Sequence, residues 1–228
     1  MFWIDWPYLV LVVPMLIISM WAQLKVKTTY NKYSKVYARM GLTAEMAVRK
    51  ILDSNGLFNV GITRTPGELT DHYDPRSNTI ALSDSVYGST SVAAIGVAAH
   101  EAGHAIQHAV GYAPIKLRTA LVPITNFGSR LSMPLFIIGL ILSSQPLAYA
   151  GIVLFSLTVI FQLVTLPVEF NASRRALAAL TTHGGLSESD RKGAKKVLTA
   201  AAMTYVAALV TSFMQILYYL SRLNRRRD

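Results

Sequence analysis

The chain has 228 residues, 52% of them hydrophobic, with a mean hydropathy of +0.38. That excludes an ordinary soluble domain and points to a membrane protein carrying one modest soluble unit. The formal charge is +10 with no cysteine, so there is no disulfide framework and no thiolate ligand, and any metal must be held by histidine and carboxylate.

Much of the positive charge flanks apolar spans, where it sets topology and meets anionic lipid, and no nucleic-acid motif accompanies it. Trp3 to Leu24 is an apolar stretch with Trp3, Trp6, Tyr8 and Trp21 as an aromatic belt at its two interfaces. Lys25, Lys27, Lys32 and Lys35 follow it, whereas Asp5 is the only side-chain charge before it. A cleaved signal peptide would carry its positive charge ahead of the apolar run. Residues 1–24 therefore read as a retained anchor, with the N-terminus outside and the following domain cytoplasmic.

Residues 25–130 form the soluble unit. Thr43 is placed to cap a helix through Ser54, with Ala47, Val48, Ile51 and Leu52 on one face and Gly56 just beyond its end. Asn59 to Arg64 and Thr79 to Ser83 read as short strands around the turn Asp74-Pro75-Arg76-Ser77-Asn78. Together they predict a small antiparallel sheet whose last strand precedes the next helix. An exposed edge along Thr79 to Ser83 could bind an extended peptide through main-chain hydrogen bonds, or the pair could be a purely structural hairpin.

The next helix is predicted over Val92 to Val110, between the N-cap candidates Gly88-Ser89-Thr90-Ser91 and the stop Gly111. It contains His100-Glu101-Ala102-Gly103-His104, the pattern H-E-x-x-H. Two histidines four residues apart share one helical face and can hold one metal ion. Neutral imidazole suits Zn²⁺, and two histidines with one further ligand leave a position open for water. Glu101 sits where it can take a proton from that water, which gives metal-assisted hydrolysis of an amide bond. The flanks are apolar and small, so the helix is predicted to be buried, and buried Glu and His need a partner.

Leu131 to Val168 holds 38 residues without a charge. A single helix of that length would span about 57 Å, nearly twice the hydrocarbon core. Ser143-Ser144-Gln145-Pro146 marks a turn, so residues 131–168 read as a transmembrane hairpin, its first half short unless it begins near Phe127 with Arg130 snorkelling. Residues 169–196 read as a further helix rich in basic groups, and 197–228 as a last apolar helix, Val197 to Leu220, with a basic tail of Arg222, Arg225, Arg226 and Arg227. Counting spans puts that tail outside, against the positive-inside rule. Either the last helix or the hairpin stops short of crossing, or C-terminal charge does not set the topology.

H-E-x-x-H needs a third ligand. The extension H-E-x-x-H-x-x-G-x-x-H fails, because Gln107 and Val110 occupy its Gly and final His positions. His108 lies one turn beyond His104, but three histidines spread over some 12 Å of helix converge poorly on one ion, which favours a supporting or interfacial role. Glu169 is the better candidate. It follows an apolar span directly, where an unpaired carboxylate is costly, and it returns to the side of His100 after an even number of crossings. The bland alternative pairs it with Arg174 or Arg175.

Three runs carry a family resemblance: Leu69-Thr70-Asp71-His72-Tyr73-Asp74-Pro75, His100 to Gln107, and Leu166-Pro167-Val168-Glu169-Phe170-Asn171-Ala172-Ser173-Arg174-Arg175-Ala176. Over nearly the whole chain the sequence resembles the YugP family, bacterial membrane proteins classed as neutral zinc metallopeptidases. More distantly it is similar to HtpX-type and CAAX-type membrane proteases, in which the Glu of an E-x-x-A-D motif is the third zinc ligand. The resemblance implies an α-helical multi-pass membrane protein of the cell membrane with a small α+β, zincin-like metallopeptidase domain. It implies Zn²⁺ on His100, His104 and Glu169, with Glu101 as base, acting on membrane or juxtamembrane proteins or peptides. Ser173 stands where the wider class has Asp, and Asp71, His72 or Tyr73 could supply a substitute polar group. The competing class is an inactive zinc-containing scaffold, which a fourth protein ligand such as His108 or His72 would favour.

Overall fold

The computed structural model describes residues 5–182 and 185–224; Trp3, Arg225, Arg226 and Arg227 lie outside the described residues. Its elements run α1 (Trp6–Leu11), α2 (Val13–Tyr33), α3 (Ala44–Ser54), β1 (Gly61–Thr65), β2 (His72–Asp74), β3 (Thr79–Ser83), α4 (Val92–Ala109), α5 (Ala113–Ile141), α6 (Gln145–Thr182) and α7 (Glu188–Asn224). They fall into two compact units. One is drawn from residues 24–115 and 167–202, the other from 1–23, 116–166 and 203–228 as far as these are described.

In the first unit α3 and α4 form where expected, α4 ending at Ala109 with Val110 as its C-cap, whereas the expected helix over 169–196 is divided between the end of α6 and the start of α7. Helix α3 buries Ala47, Val48, Ile51 and Leu52 and stops at Gly56, whose φ of 73° suits the left-handed position past a helix C-terminus. Thr43 stands at its N-cap without a side-chain cap bond. Those apolar groups join Ile80, Leu82, Val86, Ile95 and Leu180 in one core of fully buried side chains.

The sheet differs from the expected antiparallel one. Its order is β1-β3-β2, with β1 parallel to β3 from Gly61↔Thr79 to Thr65↔Ser83, and β2 antiparallel to β3 from His72↔Ala81 to Asp74↔Thr79. The Asp74–Asn78 turn closes a β2–β3 hairpin, with the Asp74 carboxylate accepting from the Arg76 N–H and Asn78 at φ 52°. β3 then inserts between its hairpin partner and β1. Both of its edges are therefore occupied: past Ala81, where β2 ends, the Asp71 carboxylate accepts from the Ser83 N–H at 2.8 Å. A peptide cannot add along Thr79 to Ser83, and that expectation is withdrawn.

Four helical stretches are long and apolar enough to cross a membrane: Trp6–Tyr33, Ala113–Ile141, Gln145–Thr182 and Glu188–Asn224. They are longer than the sequence pattern suggests. Arg130 lies inside α5, so the first arm of the hairpin is not short. Glu169 does not begin a helix; α6 runs on past Pro167, which removes one intrahelical donor without ending the helix. Helix α7 starts well before Val197 and continues to Asn224.

Within the second unit, the α5–α6 turn sits at Ser143 (φ 51°), with the Ser144 N–H donating to the Gly139 carbonyl at 2.8 Å. The two helices approach closely at Gly139 and Gly151; a Cβ on Gly151 would stand 2.6 Å from the Ser132 carbonyl oxygen. Tyr219 packs on Phe136 and Phe155 at ring separations of 4.2 and 5.6 Å. Its neighbour Tyr218 donates its hydroxyl to Asp5 at 2.8 Å, and Arg222 lies 3.5 Å from the same carboxylate. The Ser19 and Thr211 hydroxyls meet at 2.9 Å. Helix α7 thus runs antiparallel to α2, and the end of α7 shares one face with the start of α1.

Candidate metal centre

Helix α4 is fixed at both ends by local chemistry. The Ser91 hydroxyl accepts from the Ala94 N–H at its start. At its end Gly111, φ 64°, allows a Schellman closure in which Tyr112 and Gly111 donate to the carbonyls of Gln107 and His108. Between them lies the buried run Ala98, Ala99, Ala102, Gly103. A Cβ on Gly103 would come within 2.5 Å of the Ala172 carbonyl oxygen, so the α4 backbone rests directly on α6. The small residues of the motif are what bring the two helices together.

That approach delivers the side chains. His100 Nε2 is 3.2 Å and His104 Nε2 3.7 Å from Glu169 Oε2, and one donor atom from each of the three residues lies within 4.8 Å of the others. Zinc bonds of 2.0–2.1 Å at tetrahedral angles separate ligand atoms by about 3.3 Å. The measured spacings bracket that value, and two imidazoles with one carboxylate are a zinc donor set. Glu169 is 2% exposed, and a carboxylate so deeply buried needs a cationic partner. Burial pulls the His104 imidazolium down, but its bond to Glu169 and the charge of Glu101 outweigh this and hold its proton affinity above the ordinary histidine value.

Glu101 is 8% exposed and makes no hydrogen bond or ion pair to any described residue. It lies close enough for its charge to act on His104 and on Asp71. A buried carboxylate with unused acceptor capacity beside a donor cluster is available to take a proton.

The histidine rings are held from behind. Ser173 Oγ lies 3.1 Å from His100 Nδ1, where the hydroxyl can orient the ring. Gln107, fully buried, places Oε1 3.0 Å from His104 Nδ1 while its Nε2 donates to the Val168 carbonyl at 2.8 Å and to Asn171 Oδ1 at 3.0 Å. Arg175 Nε donates to the same Asn171 oxygen at 2.8 Å instead of serving as a partner that the sequence would offer Glu169. The sequence pattern used Gln107 only to reject a longer motif, and it gave Asn171 no role.

Asp71, His72 and Tyr73 have other occupations. The Asp71 oxygens accept from the Ser83 N–H and hydroxyl, His72 Nδ1 faces the Thr70 carbonyl at 2.9 Å, and the Tyr73 hydroxyl donates to Asn78. His108 stacks against Tyr73 with ring centres 5.5 Å apart. Among the described residues only His100, His104 and Glu169 form a donor group. Neither His72 nor His108 joins it as the fourth ligand that would favour an inactive scaffold.

Residues 8–224 match the family described as "Putative neutral zinc metallopeptidase", and the chain belongs to that family. It is 45% identical over 221 residues to the "Putative membrane protease YugP" of Bacillus subtilis (strain 168), covering 97% of this chain and 98% of that protein. No solved structure matches it.

Proposed function

We propose that this member of the zinc metallopeptidase family is a membrane-bound endopeptidase of the H-E-x-x-H plus Glu type, built on a small α+β, zincin-like unit. The observation that carries the reading is the convergence of His100, His104 and Glu169 with an unpartnered, buried Glu101 beside them. His100, His104 and Glu169 would hold the metal. Zinc bound there supplies Lewis-acid polarisation of water and of a peptide carbonyl. Glu101 takes the proton that water gives up and returns it to the leaving amine.

Of the sheet's two outer strands, β2 packs against α4, with Tyr73 on His108. An extended substrate adds to the outer edge of β2 by main-chain hydrogen bonds. Glu169 follows a 38-residue charge-free run directly, so the substrates are membrane or juxtamembrane proteins.

Zinc content of the detergent-purified chain, together with cleavage of β-casein, tests this. The wild type should hold zinc near one per chain, Glu169→Ala should lose most of it, and Glu101→Gln should keep zinc and lose cleavage. A wild type that holds no zinc after adding it back, or a Glu101→Gln variant that still cleaves, would overturn the reading.

A further inference from the structure

We propose that Gln107 is the positioning residue of the metal centre, resting on the zinc reading above: it fixes the tautomer of His104 and sets the spacing between His104 and Glu169. Its amide has only one possible orientation. The Val168 carbonyl can only accept, so the NH₂ end of Gln107 must face it at 2.8 Å. The Arg175 Nε–H can only donate, so Asn171 presents Oδ1 to it at 2.8 Å, and that oxygen takes the second Gln107 N–H at 3.0 Å. Gln107 Oε1 is thereby left pointing at His104 Nδ1, 3.0 Å away. An amide oxygen only accepts, so Nδ1 carries a hydrogen, and Nε2, 3.7 Å from Glu169 Oε2, is the ring nitrogen left to bind a metal.

Both amide hydrogens are used, and the side chain is 0% exposed, so no water competes for the arrangement. His100 differs. Its Nδ1 faces the Ser173 hydroxyl, which can donate or accept, so the serine holds the ring without dictating its tautomer. Gln107 also grips the backbone one residue before Glu169, so a single side chain on α4 ties one ligand to the helix that carries another. This sets it apart from a residue that only supports a ring.

The test uses the full chain in detergent with ¹⁵N-labelled histidine. Ring ¹⁵N shifts of His104 are read in zinc-free protein, and zinc affinity is read by chelator competition, for wild type, Gln107→Leu and Gln107→Glu. Wild type should show His104 protonated at Nδ1. Gln107→Leu should shift it toward the Nε2–H tautomer and weaken zinc binding about 10–100-fold, as lost outer-sphere partners do. Gln107→Glu keeps an acceptor at Nδ1 and should keep the tautomer, but it sets a carboxylate against the Val168 carbonyl, so zinc binding should still weaken. This pattern separates positioning from bulk, because a merely structural residue would not move the tautomer in one variant and spare it in the other. Wild-type tautomer and affinity in Gln107→Leu would overturn the inference. A wild type that binds no zinc would end the zinc reading, while the zinc-free tautomer measurement would still decide the role of Gln107.

Discussion

At the scale of single residues, the ligand atoms depend on what stands behind them. Ser173 supports His100 from its Nδ1 side at 3.1 Å, and in a buried site a hydroxyl is a weaker orienter than a carboxylate. Ser173→Ala should weaken zinc binding roughly 10-fold, and Ser173→Asp should restore or exceed wild-type affinity, both read by chelator competition. Equal affinity in all three proteins would show that the serine contact is incidental. The grouping of the three donor residues was legible because their signals are local: helical spacing for His100 and His104, and the cost of a carboxylate next to an apolar run for Glu169. Gln107 was not, because its partners Val168 and Asn171 lie 61 and 64 residues away, and nothing in the local pattern announces them.

At the scale of elements, the site exists because α4 and α6 touch backbone to backbone. Gly103→Ala puts a Cβ 2.5 Å from the Ala172 carbonyl oxygen and 3.0 Å from its carbon, neither of which can swing aside. Overpacking of this kind costs about 1–3 kcal/mol, and it should also part His104 from Glu169. The variant should melt lower and lose zinc. A Cβ on Gly96, on the same helix, would come no nearer than 3.3 Å to any atom, the nearest being the Ala194 Cβ, so Gly96→Ala is a matched control that should melt slightly lower and retain zinc. Loss of zinc in both would trace the effect to α4 as a whole and not to the contact at Gly103. The boundaries of α3 and α4 were readable in advance because caps such as Ser91 and Gly111 act within a few residues, whereas α6 and α7 ran past theirs. The sheet was not readable. A pattern of two short apolar runs around a turn suits a simple hairpin, and only non-local pairing puts β3 between β2 and β1.

At the scale of the whole molecule, the contacts within the unit of long apolar helices bear on a conflict in the charge pattern. The start of α1 and the end of α7 share one face, through Asp5 with Tyr218 and Arg222, as an even number of crossings requires. Arg222 is compensated there by Asp5, which blunts its pull on topology. Lys25, Lys27, Lys32 and Lys35 follow the first apolar stretch, and the positive-inside rule then predicts a cytoplasmic side for the chain after it. Because the sequence has no cysteine, single introduced thiols report sidedness without background. In intact cells an impermeant maleimide should label Ser144→Cys, in the turn between α5 and α6, and should label Ser77→Cys, in the β2–β3 turn, only after permeabilisation. The opposite pattern would turn the protein over, placing the H-E-x-x-H helix outside the cell and changing the proteins it can reach. Labelling of both thiols in intact cells would show that α5, one of the four helices long and apolar enough to cross, does not separate the two turns.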